Sequence, residues 1–176
     1  PWPHQQAAGN RATMAMHRLA QRWPAARPMP ELTEESLEDF YRTLKRYQQR
    51  VHADQRLPAP PADSVSVRSR LCGSALTLDA VIADGRVQQL GWSVHACALG
   101  QACTGIVAEH LAELDEATVR RVGAQLRAIL KGERDTSDWP ELAMFALVRD
   151  VPNRHGSALL PFEALRQLFD RAHARG

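Results

Sequence analysis

Apolar residues recur along this chain with two periods, and the change of period divides it. Leu37, Phe40, Tyr41, Leu44, Tyr47 and Val51 form one stripe at helical spacing. Thr33 precedes it as an N-cap, and Glu34 and Glu35 sit at the positive end of the helix dipole. Leu57-Pro58-Ala59-Pro60-Pro61 ends the helix and makes a linker. The period then drops to two. Val65 and Val67 alternate with Ser64, Ser66 and Arg68, and Leu76, Leu78, Ala80 and Ile82 alternate with Thr77, Asp79 and Val81. Asp84-Gly85 reads as a two-residue hairpin turn, because both central positions need positive φ. Val87, Leu90, Trp92 and Val94 continue beyond it, so the pattern predicts an antiparallel meander with strands near 64–71, 75–83 and 86–95.

Helical spacing then returns. Leu99, Ala102, Ile106 and Leu111 predict a helix starting just after Cys97. Asp115 caps another, which carries Val119, Val122, Leu126, Ile129 and Leu130 on one face and has Gly132 after it. Residues 140–148 predict a short apolar helix opened by Pro140. A loop over 150–156 then leads to a last helix with Pro161 in its first turn and Phe162, Leu165, Phe169 and Ala172 on one face. Strands and helices segregated in this way predict an α+β fold, a three-stranded antiparallel sheet with helices packed on one face.

Residues 1–33 read as an N-terminal extension to a domain over 34–176. Prolines 1, 3, 24, 28 and 30 punctuate it, while Ala12, Met16, Leu19 and Trp23 predict one short amphipathic helix. That helix is expected either to dock on the domain or to pack in a partner or an oligomer. The first residues lack the basic, apolar, small-residue order of a secretory signal, and the Pro1-Trp2-Pro3 start without methionine is consistent with a trimmed or partial chain.

Composition narrows the function classes. The 176 residues are 44% hydrophobic and 24% charged, enough to bury a core. No apolar run approaches the roughly 18 residues of a membrane span. Three cysteines are too few for a disulfide framework, which favours a reducing, cytoplasmic setting. With 22 basic against 20 acidic residues, the net charge of +2 argues against a nucleic-acid binder. Nearly all the basic residues are arginine, which, beside abundant alanine and proline, reads as coding bias in a GC-rich genome.

The cysteines carry the candidate chemistry. Cys72 stands beside Gly73 between the first two expected strands, and Cys97 stands between the third strand and the following helix, where unpaired N–H groups favour a thiolate. A meander brings the start of strand two near the end of strand three, and the loop before the last helix can supply His155 to the same place. Cys72, Cys97 and His155 are therefore the candidate metal ligands. Cys103, inside the helix, reads as a small buried apolar residue. Phosphate-binding glycine loops, HExxH, GxSxG and CxxC are absent from the sequence.

Three segments, taken in order, resemble the IscU/SufU/NifU-type iron–sulfur cluster assembly scaffold. Arg70-Leu71-Cys72-Gly73-Ser74 is similar to its first cysteine motif, Cys-Gly-Asp, and Val94-His95-Ala96-Cys97-Ala98-Leu99-Gly100 to its second. Asn153-Arg154-His155-Gly156-Ser157-Ala158-Leu159-Leu160-Pro161-Phe162 is similar to its third, Arg-x-x-Cys-x-x-Leu-x-Trp, and Asp39-Phe40-Tyr41-Arg42 to its leading helix. The match runs over about residues 36–170. The family's site has three cysteines and an aspartate; here Ser157 stands at the third cysteine and Ser74 at the aspartate, with His155 an inexact stand-in. The resemblance implies a scaffold or carrier that holds iron, zinc or a labile iron–sulfur cluster through a reduced ligand set, with a cysteine desulfurase and apo-protein clients as partners. A homo-oligomer completing that set is compatible with it. The alternative is a metal-free, scaffold-like interaction module that has lost cluster binding. An enzyme using Cys97 as nucleophile or sulfur acceptor, with His95 or His155 as base, ranks last because no orienting acid is visible.

Overall fold

The computed structural model of the protein describes residues 33–175. The expected extension, apart from Thr33, and its amphipathic helix lie outside the described residues. The first helix, α1, spans Glu34–Arg50. Its start is a capping box: the Thr33 hydroxyl accepts from the Ser36 N–H at 3.1 Å, and the Ser36 hydroxyl accepts from the Thr33 N–H at 3.0 Å. Leu44, Tyr47 and Val51 of the predicted stripe are buried, and Phe40 packs against the core in part. Leu37 and Tyr41 are exposed, so only the second half of the stripe meets the domain.

Strands β1 (Asp63–Arg68), β2 (Ala75–Ala83) and β3 (Arg86–His95) form one antiparallel sheet in that order. Val65 pairs with Leu78, and Leu78 pairs with Trp92, which sets the apolar positions on one face. Asp84 (φ 52°) and Gly85 (φ 72°) make the expected hairpin turn between β2 and β3. Strand β1 stops at Arg68, three residues before its expected end. The Ser69 N–H donates to the Ser74 carbonyl at 2.8 Å and the Gly73 N–H to the Ser69 carbonyl at 3.1 Å. These bonds close a turn over 69–74 that lifts Cys72 out of the sheet.

Helices α2 (Ala98–Glu109) and α3 (Glu116–Leu130) follow, joined by a 3₁₀ turn at Leu111–Glu113. Asp115 caps α3 by accepting from the Thr118 N–H at 2.7 Å. Residues Pro140–Val148 form 3₁₀ turns rather than an α-helix. A 3₁₀ turn aligns positions three apart, as Leu142 and Phe145 are, and both are buried here together with Ala146.

The last helix, α4, spans Pro152–Arg175, and it corrects the expected loop over 150–156. Pro152 opens it, while Pro161 lies in its interior rather than in its first turn. Pro161 has no N–H for the Ser157 carbonyl. The helix continues because its face from Ala158 to Phe169 is buried against β1, β2, α2 and α3. One core therefore joins the sheet to helices on one face. No helix among the described residues is long and apolar enough to cross a membrane.

Candidate functional site

Three segments meet at the end of the sheet away from the Asp84-Gly85 hairpin. Pairing of Arg68 with Ala75, and of Ala75 with His95, puts the 69–74 turn beside the exit of β3. The Cys72 thiol contacts the hydroxyls of Ser69 and Ser74, each at 3.2 Å. Ser74 also accepts from the Cys97 backbone N–H at 3.2 Å. Cys97 is the N-cap residue of α2, and its thiol donates to the Ser157 hydroxyl of α4 at 3.2 Å. Ser74 and Ser157 are buried, whereas Cys72 and Cys97 are partly exposed. The two sulfurs thus reach the surface above a floor of hydroxyls.

Two glycines permit this approach. A Cβ on Gly100 would stand 2.5 Å from the Ser157 hydroxyl oxygen and 2.8 Å from the Ala96 Cβ. One on Gly156 would stand 2.8 Å from the Ser69 hydroxyl oxygen. Contacts that short do not occur without displacement, so bare backbone at these positions lets α2 and the 69–74 turn close on α4.

Burial pushes the Cys72 thiol up, but hydrogen bonds to Ser69, Ser74 and Ser157 outweigh it and lower its pKa to about 7. Burial also raises that of Cys97, and is outweighed by the Ser157 hydroxyl, the Gly100 and Leu99 N–H groups of the α2 start and Arg154. The thiol of Cys97 therefore titrates below its ordinary range. As thiols the sulfurs donate to the serines, and as thiolates they accept from them. Cys103 is fully buried, and burial alone drives its thiol strongly upward, in keeping with the inert core role expected of it.

His155 lies in the first turn of α4, two residues before Ser157, and its Nε2 is 3.0 Å from the Val148 carbonyl. His95 Nε2 faces the Ser93 hydroxyl at 3.4 Å. Among the described residues, no group of three or more His, Cys, Asp or Glu side chains is gathered as for a metal ion. Ser69 joins the site without having been singled out in the sequence, and Arg154, the arginine of the third motif, acts on the Cys97 thiol. The Ser69-x-x-Cys72-Gly73-Ser74 spacing, a turn with hydroxyls on both flanks of the thiol, is the local signal for Ser69.

The fold has solved counterparts. A nitrogen-fixing NifU-like protein (N-terminal) from Brucella abortus superposes with a TM-score of 0.72 at 26% identity, over 80% of this chain and 99% of that one. The fold is that of the IscU/NifU/SufU-type scaffold. A protein from thermophilic Fervidobacterium islandicum AW-1, described as an iron–sulfur cluster assembly scaffold for the SUF system, superposes at 0.63 with 17% identity, over 72% of this chain and 93% of that one. A hypothetical protein superposes at 0.61 with 14% identity, over 76% and 98%. No family model and no curated protein matches the sequence. On the scaffold fold, the three segments that carry the sequence resemblance meet around Cys72, Cys97 and Ser157.

Proposed function

We propose that the protein is an iron–sulfur cluster assembly scaffold or carrier that takes iron or a labile cluster as cargo on Cys72 and Cys97. One observation carries the proposal: two partly exposed thiols with depressed pKa values, from separate segments, are linked through the Ser74 hydroxyl. Thiolates are the preferred ligands of iron–sulfur units, and zinc is accepted by the same donors. The likeness to scaffolds in structure supports the same reading.

The donor set is short. Ser74 and Ser157 offer neutral hydroxyls, which are poor ligands for soft metals. His155 engages the Val148 carbonyl through Nε2, so it could join only through Nδ1. Cargo held by two thiolates is labile, and a second subunit, a small thiol or a client cysteine would complete its coordination. Handing it on is then a matter of exchanging those outer ligands. A cysteine desulfurase as sulfur source and apo-proteins as recipients are the partners that this role requires.

The test is anaerobic reconstitution with ferric iron and sulfide. The expected product is an iron–sulfur chromophore that a chelator strips readily, absent from Cys97→Ser and Cys72→Ser. A folded wild-type protein that develops no chromophore and takes up neither iron nor zinc would instead be a metal-free interaction module on the scaffold fold.

A further inference from the structure

A second feature lies away from the cysteines. A groove of about 530 Å³ runs between α1 and the 3₁₀ segment, with Phe40, Met144, Ala146 and Leu147 in its lining and Asp39 and Asp135 on its walls. The groove is therefore apolar inside, with a carboxylate on each wall. Asp39 is in an exposed ion pair with Arg42, of a kind that exchanges partners at little cost, and Asp135 pairs with Arg149 at 2.6 Å.

The chain itself contains a complementary segment. Residues 1–30 hold no acidic residue and four arginines, Arg11, Arg18, Arg22 and Arg27. At about 100° per residue, Ala12, Met16, Leu19 and Trp23 fall within a stripe about 60° wide. On the same projection Arg11, Arg18 and Arg22 fall together on one flank of that stripe, within about 40° of one another. An apolar stripe flanked by cations suits an apolar groove with carboxylates at its walls. Only residues 24–32 separate Trp23 from Thr33, and the groove begins at Ser36. Nine residues span at most about 30 Å, so the segment cannot stray far, and tethering gives it an effective concentration of the order of millimolar.

We propose that this groove is the docking site of the chain's own segment 11–23, with Met16, Leu19 and Trp23 in the groove and the arginines toward Asp39 at its edge. Docking in cis covers apolar surface on α1 and the 3₁₀ segment without a second molecule.

The experiment is amide hydrogen exchange on the full chain, wild type against Met16→Glu/Leu19→Glu. Both substitutions fall outside the described domain and leave its core intact. The expected result is exchange at least about threefold faster over 143–147 in the variant, at protein concentrations spanning roughly a hundredfold, with both proteins monomeric by light scattering. Met144→Glu, on the groove side, should speed exchange of backbone amides over 11–23. Equal exchange over 143–147 in wild type and double variant would overturn the proposal. Protection that grows with concentration, together with dimer formation, would overturn it in favour of a second copy of the chain.

Discussion

The Cys97 sulfur lies 3.2 Å from the Ser157 hydroxyl, across sixty residues of chain, and joins the start of α2 to α4. Ser157 stands where the resemblance places a third cysteine, so at this position a hydroxyl meets the Cys97 sulfur. The consequences can be measured.

Ligand restoration tests that geometry first. Ser157→Cys with Ser74→Asp should raise zinc affinity by at least about tenfold, since each added thiolate strengthens a soft-metal site. Cys97→Ser should abolish the gain. A competitive chelator titration reads both, and an unchanged affinity in the double variant would show that residue 157 cannot present a sulfur to the other two.

Thiol reactivity should follow the titration. In the metal-free protein the rate of Cys72 alkylation should rise with pH and reach half its maximum near pH 7, while Cys103 stays unlabelled until the protein unfolds. Ser74→Ala removes a hydroxyl from Cys72 and should move the midpoint up. The folded thiol titrates below a free cysteine, near 8.5. Its contribution to stability is therefore complete above that value and is lost as the pH falls through about 7. Mass spectrometry after timed alkylation at a series of pH values checks the profile.

Gly100→Ala should destabilise the fold by about 1–3 kcal/mol, because its Cβ would press into Ser157 and Ala96. The thermal midpoint should fall by about 5 °C. An unchanged midpoint would mean that α2 and α4 can separate without loss.

Asp79 on β2 is 1% exposed. It accepts from Arg56 Nε at 2.6 Å, from Arg56 Nη2 at 2.9 Å and from the Leu57 N–H at 3.0 Å. Burial raises its carboxyl, and Arg56 more than compensates, leaving it below the usual carboxylate range. Arg56→Ala should cost about 2 kcal/mol at neutral pH. A carboxylate with a depressed folded pKa loses its contribution as the pH falls, so the deficit of this variant against the wild type should shrink in acid, where the wild-type Asp79 is protonated too. Denaturant titrations at pH 7 and pH 2 read the change.

The elements were largely legible because their signals are local. The alternation from Leu76 to Ile82 marked β2, Asp84-Gly85 marked the hairpin, and Thr33 and Asp115 marked helix starts, each through bonds made within a few residues. The start of α4 was not legible, because Pro161 reads as a first-turn residue until the buried face from Ala158 to Phe169 is seen to hold the helix across it. Tyr41 fits the apolar stripe of α1 yet is exposed, since spacing reports a face and not what covers it.

The site divides in the same way. The sequence alone determined that Cys72 and Cys97 flank the open end of the β2–β3 hairpin, and that residues 74 and 157 bring hydroxyls where the resembling motifs bring ligands. Tertiary structure decided that Ser74 touches both cysteines, that Ser157 meets Cys97, and that His155 faces Val148 instead. Those contacts depend on how closely α4 can approach α2 and the 69–74 turn. That distance is set by the missing Cβ atoms of Gly100 and Gly156, and no local pattern of polar and apolar residues encodes it.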